Sequence, residues 1–437
     1  MCLACLALTQ STYDGVLYNT ETIKAMLDGY VDNLHFDEAW LPHAAFHPFY
    51  GTYHAMGKKR QRPQHSVVYS TQSIHKLLAG ISQASHVLVQ DSQNTKLDTH
   101  LFNEAYLMHT STSPQYSIIA SCDVAAAMME PPGGTALVEE SIAESLDFRR
   151  AMRKVDAEYG KDWWFKVWGP EKLVDEGIGR AENWIIRSDG RSAKNGSKWH
   201  GFGQLADGFN MLDPIKATIV TPGLNLDGKF DKTGIPASIV TKFLVEHGVV
   251  VEKTGLYSFF IMFTIGITKG RWNTLLTALQ QFKDDYDRNQ PMWRILPEFC
   301  KRYPRYERMG LQDLCQHVHE LYARYDIARL TTEMYLSELQ PAMKPSDAYA
   351  HIAHRKTERV VIDDLEGRIT VGLVTPYPPG IPLLIPGEVF NKTIVDYLKF
   401  SREFNANCPG FETDIHGLVE ITDAIGKTNY FADCVRA

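Results

Sequence analysis

The stretch Ser70-Thr71-Gln72-Ser73-Ile74-His75-Lys76-Leu77-Leu78 carries residue types suited to one particular chemistry. An apolar strand runs into a polar turn, and a helix is expected to start at or just after Lys76. Small hydroxyls and unpaired backbone N–H groups at such a turn suit a phosphate. A lysine beside them can hold pyridoxal phosphate (PLP) through its amine as a Schiff base. A lysine at a helix start is more commonly a solvated surface residue, so this stretch alone decides nothing.

A second stretch, Leu34-His35-Phe36-Asp37-Glu38-Ala39-Trp40, supplies what such a cofactor needs. An acidic residue at the carboxyl end of a strand sits where α/β sheets bind ligands. A carboxylate beside a pyridine nitrogen keeps that nitrogen protonated and makes the ring an electron sink. Asp37 can fill that role, with Trp40 packing near the ring. The plainer reading is an aspartate that caps a helix. Metal chemistry is poorly supplied. His43, His47 and His54 form no helix-spaced pair with a convincing carboxylate. Cys2 and Cys5 form a lone C-x-x-C, read here as two small residues in a buried strand.

The elements that must position these residues alternate. Leu3–Thr9 is a strand candidate ending in the turn Tyr13-Asp14-Gly15. A helix over Thr20–Leu27 follows, capped by Asn19 or Thr20. Strands are expected over Asn33–Asp37, Ser66–Ser70 and His86–Gln90, with a helix over Lys76–Ser85 between the last two. Such alternation predicts an α/β layer with a mainly parallel sheet. Downstream, a long helix over Leu137–Glu158 follows a soft boundary at Glu130-Pro131-Pro132-Gly133-Gly134, and an exposed loop covers Ser188–Ser197. Then come a strand over Ala217–Thr221, a helix over Pro236–His247, strands over Val249–Glu252 and Ser258–Ile265, and a helix near Trp272–Tyr286. A last block starts near Gln290.

The 437 residues, 44% hydrophobic and 22% charged, describe an ordinary globular chain of two or three domains. A formal net charge of −7 argues against a nucleic-acid partner, because no basic stripe is available to neutralise phosphates. Seven scattered cysteines make a disulfide framework an unsuitable reading and point to a reducing cytoplasm. No apolar run is long enough for a transmembrane helix, so no membrane partner is expected.

Many segments, in order, resemble the bacterial Orn/Lys/Arg decarboxylases, PLP enzymes of the aspartate-aminotransferase fold. They include STYDG at 11–15, HFDEAW at 35–40, TQSIHKLL at 71–78, FNEAYLMHTSTSP at 102–114, WHGF at 199–202, LDPIK at 212–216, VVEKTGLYS at 250–258, PYPPGIPLLIPGE at 376–388 and PGFETDIHG at 409–417. The resemblance implies an α/β fold class: the second half of a PLP-dependent transferase-like large domain (1–130), an α+β small domain (131–289) and a carboxy-terminal α/β decarboxylase domain (290–437). It implies that Lys76 holds PLP, that Ser73 and His75 lie at its phosphate, and that Asp37 meets its ring nitrogen with Trp40 beside it. Ser111 matches a hydroxyl that reaches the phosphate of the neighbouring subunit, which implies a homodimer or larger homo-oligomer with shared sites. Glu252 and Tyr377 match residues at the substrate side chain. Ile74 replaces a usual threonine, and Ser111 stands where threonine is common.

The implied activity is decarboxylation of a basic amino acid, in the order lysine, arginine, ornithine, to a diamine or polyamine and carbon dioxide. Lys76 and His75 are the candidates for protonating the resulting carbanion. Transamination is the enzymatic alternative, but it requires an arginine for the α-carboxylate and none is assignable. The resemblance begins partway into the family pattern: the relatives' amino-terminal domain, Gly-Thr-Ser phosphate loop and ring-stacking histidine have no match. The expectation is a fragment of a longer product; the alternatives are half of a split enzyme, or a non-catalytic subunit pairing with an intact homologue.

Overall fold

Strand-forming residues with small or polar residues at their carboxyl ends build the layer that carries Asp37 and Lys76. The computed structural model describes residues 3–57, 61–170, 180–187, 199, 200, 202, 205–377, 380–423, 426 and 428–436. The chain folds as two units, Met1–Ile219 with Phe260–Thr274, and Val220–Phe259 with Leu275–Ala437.

In the first unit, β1 (Leu3–Thr9), β2 (Val16–Tyr18), α1 (Thr20–Leu27) and β3 (Val31–Asp37) are followed by β4 (Val67–Ser73), α2 (Ile74–Leu77) and β5 (Ser85–Gln90). The main sheet has the order β1-β3-β4-β5. β1, β3 and β4 run parallel, with Thr9 opposite Asp37 and Asp37 opposite Thr71. β5 returns antiparallel to β4, with Ser73 opposite Ser85. One face is packed by Ile23, Val31, Leu34, Phe36, Ala55, Met56 and Val68. Helix α1 starts as expected, with Asn19 accepting from the Thr22 N–H at 3.1 Å.

The rest of this unit holds α3 (Thr99–His109), α4 (Tyr116–Met128), α5 (Gly133–Tyr159), β6 (Lys166–Val167), β7 (Ile185–Ile186), β8 (Asn210–Leu212) and β9 (Lys216–Val220). Helix α5 buries Val138, Ile142, Leu146, Met152 and Val155, a stripe at helical spacing. It can begin at Gly133-Gly134 because a Cβ on Gly134 would lie 2.4 Å from the Met129 carbonyl oxygen. The turn at Tyr13-Asp14-Gly15 is present. Gly15 has φ +93°, and a Cβ there would lie 2.9 Å from Lys216 Cβ.

β11 (Ser258–Met262) passes from the second unit into the first, and in the second unit α6 (Ala237–Glu246), β10 (Lys253–Thr254), α7 (Asn273–Asp287), α8 (Met292–Ile295), α9 (Pro297–Arg302), α10 (Leu311–Arg324), α11 (Ile327–Leu336) and α12 (Pro345–Ala353) precede a β-rich end. There β12 (Thr357–Val361), β13 (Thr375–Tyr377), α13 (Lys392–Asn407), β14 (Asp414–His416), β15 (Leu418–Thr422) and β16 (Thr428–Val435) follow. β12, β16 and β15 form an antiparallel sheet with β16 central, and β13 pairs with β14.

Several expectations need correction. β1 is not buried: it is an edge of its sheet among the described residues, with Leu3 51% exposed and Cys5 exposed. Cys2 lies outside the described residues, as does the loop expected over Ser188–Ser197. The helix expected over Lys76–Ser85 is a single turn, Ile74–Leu77. Beyond it the chain folds back, Ala84 N–H donating to Ile81 O at 2.9 Å and His75 N–H to Ala84 O at 3.1 Å. Val249–Glu252 is not a strand. Val250 is 82% exposed, with Val249 and Val251 half-buried, and pairing begins only at Lys253. Among the described residues no helix is long and apolar enough to cross a membrane.

Candidate active site

Parallel pairing of β3 with β4 sets two carboxyl ends side by side. Asp37 is the last residue of β3, and Ser73 is the last of β4. The single turn of α2 then carries His75 and Lys76 away from that edge. The Lys76 ammonium stands 4.7 Å from the centroid of the Trp40 indole, within reach of a cation–π attraction. Trp40 is itself packed between Tyr13, at 5.3 Å between ring centroids, and Phe260, at 6.4 Å.

Asp37 is exposed, and its Oδ1 accepts the Ala39 N–H at 3.0 Å. This is a local turn and not a helix cap. Its Oδ2 takes no hydrogen bond among the described residues and is available to a protonated ring nitrogen. His75 Nδ1 lies 2.9 Å from the Ala84 carbonyl oxygen. A carbonyl only accepts, so Nδ1 carries the hydrogen and Nε2 is the acceptor of the neutral ring.

The other expected residues belong to other elements. Ser111 is exposed in the loop between α3 and α4, and its Oγ accepts the Ser113 N–H at 3.1 Å. Glu252 and Tyr377 belong to the second unit, and both are exposed. Pro378 and Pro379, and Gly201 of the WHGF segment, lie outside the described residues. The three histidines weighed for metal take separate partners. His43 Nε2 is 3.4 Å from Asp213 Oδ2, His47 Nε2 is 2.8 Å from Glu139 Oε2, and His54 Nδ1 is 2.6 Å from Met56 O.

Two buried polar centres beside the site were not singled out from sequence. Glu38 is fully buried and accepts from Ser70 Oγ at 2.6 Å, Gln72 Nε2 at 2.9 Å and Ala55 N at 2.6 Å. Burial pushes its carboxyl up, against those hydrogen bonds and the charge of Lys24. It ties the carboxyl half of β4 to the backbone at Ala55. The second centre is Asp213 with Lys216. Lys216 Nζ donates to Ser11 Oγ at 2.5 Å and lies 3.7 Å from Asp213 Oδ2, while Tyr50 OH donates to Asp213 Oδ1 at 2.8 Å. Burial alone would raise the Asp213 carboxyl, but His43, Lys216 and Tyr50 together hold it below its usual value. Burial drives Lys216 down to about 8, with Asp213 and Asp14 opposing and Lys76 acting in the same direction as burial. Both pairs sit inside segments already noted, HFDEAW and LDPIK. Nothing in a linear segment, however, says that its charges turn inward.

Residues 3–271 match the major domain of the Orn/Lys/Arg decarboxylases, and residues 328–436 match the carboxy-terminal domain of the same family. The chain belongs to the Orn/Lys/Arg decarboxylase family. It is 46% identical over 433 residues to the lysine decarboxylase LdcA of Pseudomonas aeruginosa, covering 98% of this chain and 56% of that protein. It is 41% identical over 420 residues to the inducible lysine decarboxylase of Escherichia coli K12, covering 95% and 56%. The solved structure of lysine decarboxylase A from Pseudomonas aeruginosa superposes with a TM-score of 0.91 at 46% identity, over 99% of this chain and 57% of that one. The expected α/β fold of this PLP-dependent family is therefore the fold of the chain, and these relatives support the lysine/arginine branch. The chain spans just over half the length of these relatives.

Proposed function

We propose that this chain serves PLP-dependent decarboxylation of basic amino acids, with lysine favoured over arginine and ornithine. The observation that carries this is the Lys76 amine against the Trp40 ring, one strand away from an exposed Asp37 with an open carboxylate oxygen. The donor set fits the cofactor: an amine to hold it, a carboxylate for its ring nitrogen, and the Ser73 hydroxyl with the His75 ring at a strand-to-helix turn for its phosphate. When bound, PLP supplies an electron sink for the pair left behind as carbon dioxide departs.

The chain's own residues do the rest. Asp37 would hold a proton at the ring nitrogen of bound cofactor by its charge. Trp40 restrains the Lys76 side chain, and its indole keeps water from one side of the amine. His75 can deliver a proton from Nε2 only as the imidazolium, because Nδ1 is committed to the Ala84 carbonyl. Lys76 is the other proton carrier. Glu252 suits the distal cation of a basic substrate, and Tyr377 lies with it in the substrate-binding set. We read the chain as three parts, 1–130, 131–289 and 290–437, which limited proteolysis tests.

A homo-oligomer with shared sites belongs to the same proposal. Ser111 joins two helices whose apolar residues are left uncovered, Met108 and Tyr116 each being 80% exposed. Exposed apolar surface of that kind marks an interaction site. Sedimentation velocity of the chain, alone and with Tyr116→Asp, tests this: loss of a dimer in the variant supports it.

The deciding experiment for function is borohydride reduction of the chain with PLP, peptide mapping by mass spectrometry, and measurement of carbon dioxide from lysine, arginine and ornithine. Label on Lys76 with release from lysine supports the proposal in full. Label without release favours a subunit completed by a partner, a reading consistent with the partial coverage of its relatives. No label at Lys76 overturns the proposal.

A further inference from the structure

The second unit contains a cavity of about 420 Å³ framed by α6, β10, α11, α13 and the loop at 410–413. Pockets that take small organic ligands begin at roughly 300 Å³. One wall is aromatic and fixed: the rings of Tyr322 and Phe404 stack at 5.3 Å and 23°, and Phe400 stacks on Phe404 at 5.6 Å.

The lining also includes Glu412 and, on α6, Lys242. Its ammonium stands 5.4 Å from the Phe299 ring centroid and 5.3 Å from that of Phe411. It forms no ion pair among the described residues. Glu412, the carboxylate whose charge acts on it, turns Oε1 to the Gly410 N–H at 2.6 Å, and the like charge of Arg302 acts against it. This half-buried ammonium faces two rings, and burial, opposed by the charge of Glu412, lowers its proton affinity. Lys253 of β10 adds a second cation to the lining. The cavity therefore offers a stacked aromatic surface for an apolar body and an ammonium for one negative charge.

We propose that this cavity is a binding site for a small amphiphilic monoanion, an aromatic or alkyl carboxylate, with its charge at Lys242 and its body on the Tyr322–Phe400–Phe404 wall. The inference is independent of the proposed decarboxylation, since its readout is binding without PLP or substrate. The test is isothermal titration of the full chain with 4-phenylbutyrate and with its neutral amide. Saturable binding of one carboxylate per chain is expected. The amide, and separately Lys242→Met, should each weaken it by at least about tenfold, because a charge-assisted contact is lost. Lys242→Arg should retain binding, and Thr331→Trp, which fills the cavity, should abolish it. Absence of saturable binding overturns the proposal, as does equal affinity for acid and amide. That second comparison uses only the unaltered chain and stands even if a variant fails to fold.

Discussion

The Lys76 ammonium lies 4.7 Å from the centre of the Trp40 indole, although 35 residues of chain separate the two. Pairing of β3 with β4 brings them together, and Tyr13 and Phe260 hold the indole in place. Trp40 is thus a positioning residue for the amine. Trp40→Leu should keep borohydride label on Lys76 but raise the PLP concentration for half-labelling roughly twofold to fivefold, the worth of one cation–π contact of about 0.5–1 kcal/mol. Trp40→Phe, which keeps a ring face, should recover most of the loss. Equal labelling by all three chains would show that the contact orders nothing.

Asp37 is separable from cofactor attachment. It does not touch the Lys76 amine through any described hydrogen bond, and its Oδ1 serves the Ala39 N–H. Asp37→Asn preserves that acceptor while removing the charge. The expected result is retained label at Lys76 with carbon dioxide release down by at least about 10²-fold, the scale for deleting one preorganised electrostatic contact. In a preparation that shows no release, the absorbance of bound PLP supplies the readout, and its pH dependence should shift on substitution. An unchanged pH dependence together with unchanged release would remove Asp37 from the site.

Strand positions were largely legible, because β1, β3, β4 and β5 are short apolar runs ending in polar residues. The helix after Lys76 was not. Helical spacing cannot register that Gly80 backs onto Ile74 and Ala84, where a Cβ would fall 2.9 Å from Ile74 Cγ2 and 2.8 Å from Ala84 Cβ. That close approach closes the chain after one turn. Lys76, His75 and Asp37 could be nominated because their chemistry is carried by residue type next to a strand end. Glu38, Asp213 and Lys216 could not, because burial of a charge is a tertiary property, and most such residues are solvated.

The Asp213–Lys216 centre yields a stability prediction. Tyr50, Lys216 and His43 all converge on one carboxylate, and Lys216 passes its ammonium to Ser11, two residues before the Tyr13 ring that supports Trp40. Removing one partner of a buried pair strands the other and costs about 3–5 kcal/mol. Asp213→Ala should therefore lower the urea midpoint strongly. Asp213→Ala with Lys216→Met should cost less than the sum of the two single changes, since no ammonium is left unpaired. Additive losses would mean that the two groups do not interact.

The pH dependence of the same lysine has a definite sign. Burial, the largest cause, sets the Lys216 proton affinity at about 8 in the fold, against a usual 10.5. Below pH 8 the folded and unfolded chains both carry this proton, so the cost of burying the charge is fully present. Between 8 and 10.5 the unfolded chain binds it and the folded chain does not. Stability from this group must then rise with pH, by up to about 1.4 kcal/mol per pH unit. Above 10.5 neither state binds it and the gain is complete. Urea midpoints of the unaltered chain and of Lys216→Met, compared from pH 7 to 10.5, cancel the other titrating groups. The difference should move steadily in favour of the unaltered chain above pH 8. A flat difference across that window would show that Lys216 keeps its proton in the fold and that Asp213 and Asp14 outweigh its burial.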